Sequence, residues 1–382
     1  MLMNKIALTN KNLIALVLIA LIVILTIVLS LYLFKPPLKI GFIADLSSRK
    51  SQLGLAGRNG AIMAVNEINA AGGINGRQIE LLIVDNQADR NIVVTKTKEL
   101  VENGVSTIIG PFVSGMALPV INAAKDEDVL IISPTVATDQ LTAIDDNFLR
   151  IMPRAPLQGE ALGRAAANMQ IRNIVIVRDG QNEEFTSSVS KGLTASTKEL
   201  KIEVKEEIVF NQLNEFSEIV EKLIKIQPQA IVFITSGIDA GKIIQLLDDR
   251  GSLPQLYGSM WTKVTNVNKY GGKAVEGMIV VDTFKNMTPS SKETDFNKRY
   301  KRSFGNNSNM PSRYAYEALM LYVKGVELAD CTSTNKVKVA ITSLDPIEGI
   351  TDKYKFDKYG DVIRKMSLYK IKNHKYELLT ME

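Results

Sequence analysis

Residues 69–85 read NAAGGINGRQIELLIVD, and the order of what they contain, glycines first and an apolar run second, decides the fold. A phosphate-cradling glycine loop leaves a strand and opens a helix, so that backbone N–H groups face the anion. Here the preceding stretch from Leu53, LGLAGRNGAIMAVNEINAAGG, sets Ala61, Ile62, Ala64, Val65 and Ile68 on one side at helical spacing, while RQIELLIVD has the length and composition of a strand. Gly72, Gly73 and Gly76 therefore run from helix into strand, where glycine supplies a left-handed C-cap and a tight return. They are corners, expected at the end of the sheet opposite a ligand crevice, which lies beyond the carboxyl ends of the strands.

Working outward, LKIGFIADL after Pro36-Pro37 is a strand, and NIVVTKTKELVENG is a helix with Val93, Thr97, Leu100 and Val101 at helical spacing. VSTIIG and VLIISP are two more strands around a helical segment from Met116 to about Asp126. Alternation of helices with nearly continuous apolar strands means a parallel sheet covered on both faces. The pattern restarts with NIVIVRD at 173–179, a helix around 184–199, IEVKEEIVF, a helix around 214–226, AIVFITS at 230–236, a helix from Gly241 to Arg250, and QLYG. Residues 145–160, with two prolines, read as a crossover between the units. EGMIVVDTF at 276–284 and DPIEGITDKYKFD at 345–357 read as two further joints, enclosing a helical stretch from Tyr314 to Ala329.

The 382 residues suffice for two lobes of ordinary domain size. From Leu13 to Phe34 only Thr26, Ser30 and Tyr32 carry polar side-chain atoms, and as a helix this run would span about 33 Å, enough to cross a bilayer. It is longer than the apolar part of a signal peptide and lacks a small-residue cleavage site, ending in LYLFKPP. It reads as an uncleaved anchor, with the chain after about residue 38 extracytoplasmic, in the periplasm or at the cell surface. Without Lys5, Lys11 and Lys35 there remain 43 basic against 41 acidic residues, a balance that carries no nucleic-acid footprint.

Catalytic and cofactor signatures are weak. Gly54, Gly57 and Gly60 give G-x-x-G-x-x-G rather than the dinucleotide spacing, and GIDAGKI at 237–243 has three residues where a P-loop needs four, with Ile243 in place of the hydroxyl that binds magnesium. His374 is the only histidine and Cys331 the only cysteine, which removes histidine triads, disulfides and cysteine-based zinc sites. Neither enzyme activity, a metal nor a cofactor is expected; the remaining hypothesis is a crevice that binds a small molecule unchanged.

NEINAAGGINGRQIELLIVDNQAD, TIIGPFVSG, VLIISPTVATDQLT, RIMP, AVEGMIV, YAYEALMLYVKGVE and FDKYGD together resemble, in that order, the type I periplasmic binding proteins of the leucine/isoleucine/valine-binding family, which serve ABC importers. The resemblance covers about residues 38–380. It implies two lobes joined by three crossovers and closing on ligand by a hinge: residues 1–37 as tail and transmembrane anchor, 38–152 plus 284–346 as lobe 1, and 153–283 plus 347–382 as lobe 2, each lobe a doubly wound parallel sheet. It implies an ABC permease as partner, or, since the fold also serves receptors, a sensor role with a membrane partner.

Carried over residue by residue, the resemblance implies that Ser114, with Gly115 following, meets a ligand carboxylate at a helix start; a plain N-cap serine would look the same from sequence. Thr135 matches a backbone contact. Ala137 falls where amino-acid binders use a threonine hydroxyl, for which the adjacent Thr138 is a substitute. Phe185 matches an aromatic position in the cleft, Ser236 follows a strand that brings another polar contact, and Trp261 is the only tryptophan. Met260 departs from the pattern, since branched-chain amino-acid binders hold an acid there for the ligand ammonium. Either Asp239 or Asp282 supplies the charge, or the ligand has no ammonium and is an acid or amide with an apolar body bedded on Phe185, Met260 and Trp261.

Overall fold

A computed structural model describes residues 10–33, 35–48, 51–283 and 289–381. Helix α1, Asn10–Leu33, carries the apolar run, and its side chains from Ala15 to Thr26 are exposed. Among the described residues no helix is long and apolar enough to cross a membrane, so the anchor is not shown.

Lobe 1 is built on five parallel strands, β1 Leu38–Ala44, β2 Ile79–Asp85, β3 Thr107–Ile109, β4 Leu130–Ser133 and β5 Phe148–Arg150, in the order β2-β1-β3-β4-β5. Helices α2 Gln52–Ala70, α3 Arg90–Glu102 and α4 Ala117–Ala123 connect them. β1 is buried on both faces almost throughout, whereas β2 at the edge is mostly half-exposed, as a doubly covered parallel sheet requires. β5 lies within the stretch read as crossover; its three residues sit just before the prolines and are too short to announce themselves.

The chain crosses to lobe 2 through α5 Ala155–Asn168, then β6 Asn173–Asp179, α6 Glu183–Glu199, β7 Glu203–Phe210, α7 Phe216–Ile226, β8 Ala230–Ile234, α8 Gly237–Asp248, β9 Gln255–Gly258, the short α9 Met260–Val264 and α10 Val267–Gly271, and β10 Ile279–Asp282. It returns to lobe 1 for α11 Ser291–Phe304, α12 Met310–Ala329 and α13 Thr334–Thr342, with α12 packed along α2. A third passage forms a small antiparallel sheet, β11 Ile347–Glu348, β12 Lys353–Phe356 and β13 Val362–Ile363. β14 Ser367–Lys372 and β15 Lys375–Met381 then complete the second large sheet, in the order β15-β14-β10-β9-β8-β6-β7.

This second sheet corrects the expectation of a wholly parallel one, because β10, β14 and β15 pair antiparallel. The cause is local. Asn373 and His374 both adopt positive φ, 50° and 58°, the geometry of a two-residue hairpin turn, so the chain doubles back at once. The lone histidine is a turn residue.

The opening glycines behave as corners. Gly72, Gly73 and Gly76 have φ of +102°, +78° and +78°, and a Cβ on Gly73 would lie 2.0 Å from the Arg77 carbonyl. The corner also grips the stem leading to β1: Arg77 Nε and Nη2 donate to the carbonyls of Pro36 (2.9 Å) and Pro37 (3.3 Å), and Lys35 Nζ donates to that of Asn75 (2.9 Å).

Candidate functional site

The loops leaving the carboxyl ends of β1, β3 and β4 in lobe 1 line common cavities with those leaving β6 and β9 in lobe 2, which is where an α/β crevice belongs. Two adjoining cavities fill the cleft. An inner niche of about 30 Å³ is lined by Ser114 and Thr135, by Asn182, and by an apolar wall that includes Phe112, Phe185 and Trp261. An outer cavity of about 320 Å³ shares Leu53, Asn182 and Trp261 with it and adds Asp45, Ser48 and Gln181.

Ser114 opens a short 3-10 turn but does not cap it. Its Oγ accepts from Ala137 N–H at 3.2 Å, so the hydroxyl keeps its own hydrogen for an acceptor in the cleft. Thr135 has spent its hydrogen on the Phe112 carbonyl at 2.6 Å. Phe185, near the start of α6, and Trp261, in α9, meet edge to face, with centroids 6.1 Å apart and planes at 81°, a favourable aromatic geometry.

Of the residues singled out in the sequence, Ser114, Thr135, Phe185 and Trp261 converge on the niche. Gly115 lies beside it at the lobe contact: a Cβ there would come 2.7 Å from Glu184 Oε2 and 3.4 Å from Arg90 Nη2. These two side chains form an ion pair from α3 to α6 across the rim. Ala137 and Met260 are fully buried; Met260 gives its N–H to Gln158 Oε1 at 3.0 Å and lines neither cavity. Thr138 caps the following turn and approaches Ser188 Oγ at 3.5 Å, a second contact between lobes. Ser236 caps α8, accepting from Asp239 N–H at 3.1 Å and donating to Asp239 Oδ2 at 2.9 Å. Asp282 is paired with Lys263. Neither Asp239 nor Asp282 lines the niche or the outer cavity. Among the described residues, the acid that lines the outer cavity is Asp45, accepting from Ser48 N–H at 2.9 Å and from the Ser48 hydroxyl. Asp45 and Asn182 were not picked out by sequence reading, although Asp45 directly follows β1 and Asn182 ends the short turn that follows β6.

Behind the cleft, the three passages between lobes are tied together by buried charge. Arg364 is fully buried between the rings of Tyr314 and Tyr354, with Cζ 4.4 and 3.9 Å from their centroids. It pairs with Glu317 at 2.7 Å and Asp352 at 3.3 Å and donates to the Ile151 carbonyl at 3.3 Å. Burial works against this charge, but the surrounding Tyr314, Glu317 and Asp352 outweigh it and hold the guanidinium above its ordinary range. Tyr314 also bonds Thr283, so residues from all three passages meet here. Beside them Arg150 Nε donates to Asp361 Oδ1 at 2.6 Å, joining the first passage to the third.

Two lobes, a cleft at the strand ends and a triple hinge define a ligand-clamping protein, and comparison with known proteins agrees. The chain belongs to the periplasmic binding protein family, whose model matches residues 37–375. It is similar to a leucine-, isoleucine-, valine-, threonine- and alanine-binding protein of Pseudomonas aeruginosa, 26% identical over 85% of this chain and 87% of that one. Among solved structures it resembles the branched-chain amino acid transporter substrate-binding protein LivJ of Streptococcus pneumoniae in complex with isoleucine, with a TM-score of 0.80 and 23% identity over 91% of this chain and 99% of that one. It also resembles a solute-binding protein of an ABC transporter from R. palustris in complex with benzoate, with a TM-score of 0.82 and 20% identity over 90% and 96%.

Proposed function

We propose that this protein is an extracytoplasmic solute-binding protein that closes its lobes on a small organic acid with an apolar body and delivers it, unchanged, to an ABC permease. The observation that carries the reading is the convergence on one niche of a Ser114 hydroxyl hydrogen from lobe 1 with the Phe185–Trp261 pair from lobe 2. The hydroxyl suits a carboxylate, and the aromatic edge and face suit an aliphatic or aromatic body. The niche contains no acid among the described residues, which disfavours burying an ammonium in it. That the resembling structures include both an isoleucine and a benzoate complex fits a fold that accepts either ligand class, with local side chains deciding between them. Helix α1 holds the protein at the membrane, with its N-terminal side in the cytoplasm, and the lobes divide near residues 152, 284 and 346.

The test is thermal unfolding of residues 38–382, stripped of co-purified ligand by denaturation and refolding, against amino acids, aromatic acids and short amides. A ligand at a hundred times its dissociation constant adds about 2.7 kcal/mol of stability. Shifts with acids that lack an ammonium group support the proposal. A shift with leucine but not with its matched deaminated acid overturns the acid reading and points to Asp45 as the ammonium's partner.

A further inference from the structure

Asn182 ends the turn Gly180–Asn182 and immediately precedes α6, yet its side chain makes no capping hydrogen bond to that helix. It lines both the niche and the outer cavity, a position it shares with Leu53 and Trp261. Its Oδ1 is shut off from solvent and has no hydrogen-bond partner among the described residues. A buried carbonyl oxygen left unsatisfied costs free energy that nothing in lobe 2 recovers, and such a group calls for a reason. The rest of the lobe 2 wall of the niche, Phe185, Trp261 and Val264, is apolar or aromatic, so Asn182 is where lobe 2 can accept a hydrogen bond from the bound compound.

Resting on the solute-binding reading above, we infer that Asn182 is a specificity-determining residue: its Oδ1 accepts a hydrogen bond from a neutral donor, a hydroxyl or amide N–H, on a ligand whose carboxylate lies against Ser114. The ligand class is then a hydroxylated or amide-bearing small acid. Closure brings the donor and Oδ1 together, so a ligand lacking the donor leaves the oxygen buried and unpaired. An amide is neutral and does not compensate the desolvation of an ammonium as a carboxylate does. Asn182 therefore favours the hydroxy acid over the amino acid.

Two matched series test this on wild type, Asn182→Ala and Asn182→Asp by isothermal titration: 4-methylpentanoate, 2-hydroxy-4-methylpentanoate and leucine; and 3-phenylpropanoate, 3-phenyllactate and phenylalanine. Wild type is expected to bind the hydroxy acid of at least one series about tenfold more tightly than the plain acid, a difference of one well-made hydrogen bond against an unpaired oxygen. Asn182→Ala keeps the plain acid and loses that preference, while Asn182→Asp shifts preference toward the amino acid. Equal weakening of all members by Asn182→Ala, or an unchanged preference, overturns the inference and leaves the solute-binding reading intact. Binding of none of the six to wild type overturns both.

Discussion

Replacing Arg364 by Met removes the charge at the centre of the hinge while keeping most of the volume between Tyr314 and Tyr354, so the loss reports electrostatics rather than a cavity. Glu317 and Asp352 are only 5% and 3% exposed. Without the guanidinium both become buried acids facing each other, and breaking a buried pair in this way costs about 3–5 kcal/mol. With unfolding entropy of about 2.1 cal/mol/K per residue and a body of about 340 residues, that corresponds to a fall in Tm of about 4–7 °C. Glu317→Gln is the control. It keeps an oxygen for the Ile350 N–H, which now donates to Glu317 Oε1 at 2.6 Å, leaves Arg364 paired with Asp352, and costs about 1–2 kcal/mol. The assay is urea unfolding of the three proteins followed by circular dichroism, with scanning calorimetry for Tm. An Arg364→Met protein within about 1 kcal/mol of wild type, or one no worse than Glu317→Gln, refutes the view that this cluster holds the passages together.

Ser114→Ala removes the hydroxyl hydrogen proposed to meet a ligand carboxylate and should weaken binding of any acid that stabilises the wild type by about tenfold or more, read by titration calorimetry. Gly115→Ala places a methyl against Glu184 and Arg90 at the rim; the fold should keep its Tm to within about 2 °C, while affinity drops because the lobes meet less closely, which small-angle scattering of the ligand-saturated protein would show as a larger radius of gyration. Burial pushes the Asp146 carboxyl up, against the opposing pull of the Phe148 N–H and Lys338. Its folded-state pKa lies above the unfolded one, so its stabilising contribution is complete below the ordinary carboxylate pKa and is lost as pH rises through the raised value. Asp146→Asn should therefore lose less stability than wild type as pH rises from 4 to 7, measured by thermal melts across that range.

The lobes were legible because parallel strands covered on both faces write themselves as short continuous apolar runs, LIIS and AIVFI being the clearest. The C-terminal hairpin was not, because its strands mix lysines with apolar residues in KIKNHKYELL, and only the positive φ at Asn373 and His374 reveals the turn. Within the cleft the difference is instructive. Ser236 and Asn182 both come after strands, and the family resemblance pointed to Ser236; the structure places its hydroxyl in a helix cap with Asp239. Asn182 sits in DGQNEE, which reads as a polar loop. The strand-end rule applied strictly to β6 would have raised it. Met260, the residue before Trp261, is fully buried and lines neither cavity.

The grip of Arg77 and Lys35 on the stem gives the molecule a stator. If α1 is held in a bilayer, the short stem bonded to the glycine corner fixes the far end of lobe 1, while the chain reaches lobe 2 through the three passages and the rim contacts of α6. Closure then swings lobe 2 and leaves lobe 1 standing. On the proposed reading, a permease that waits for the loaded form would meet lobe 2 as the moving jaw.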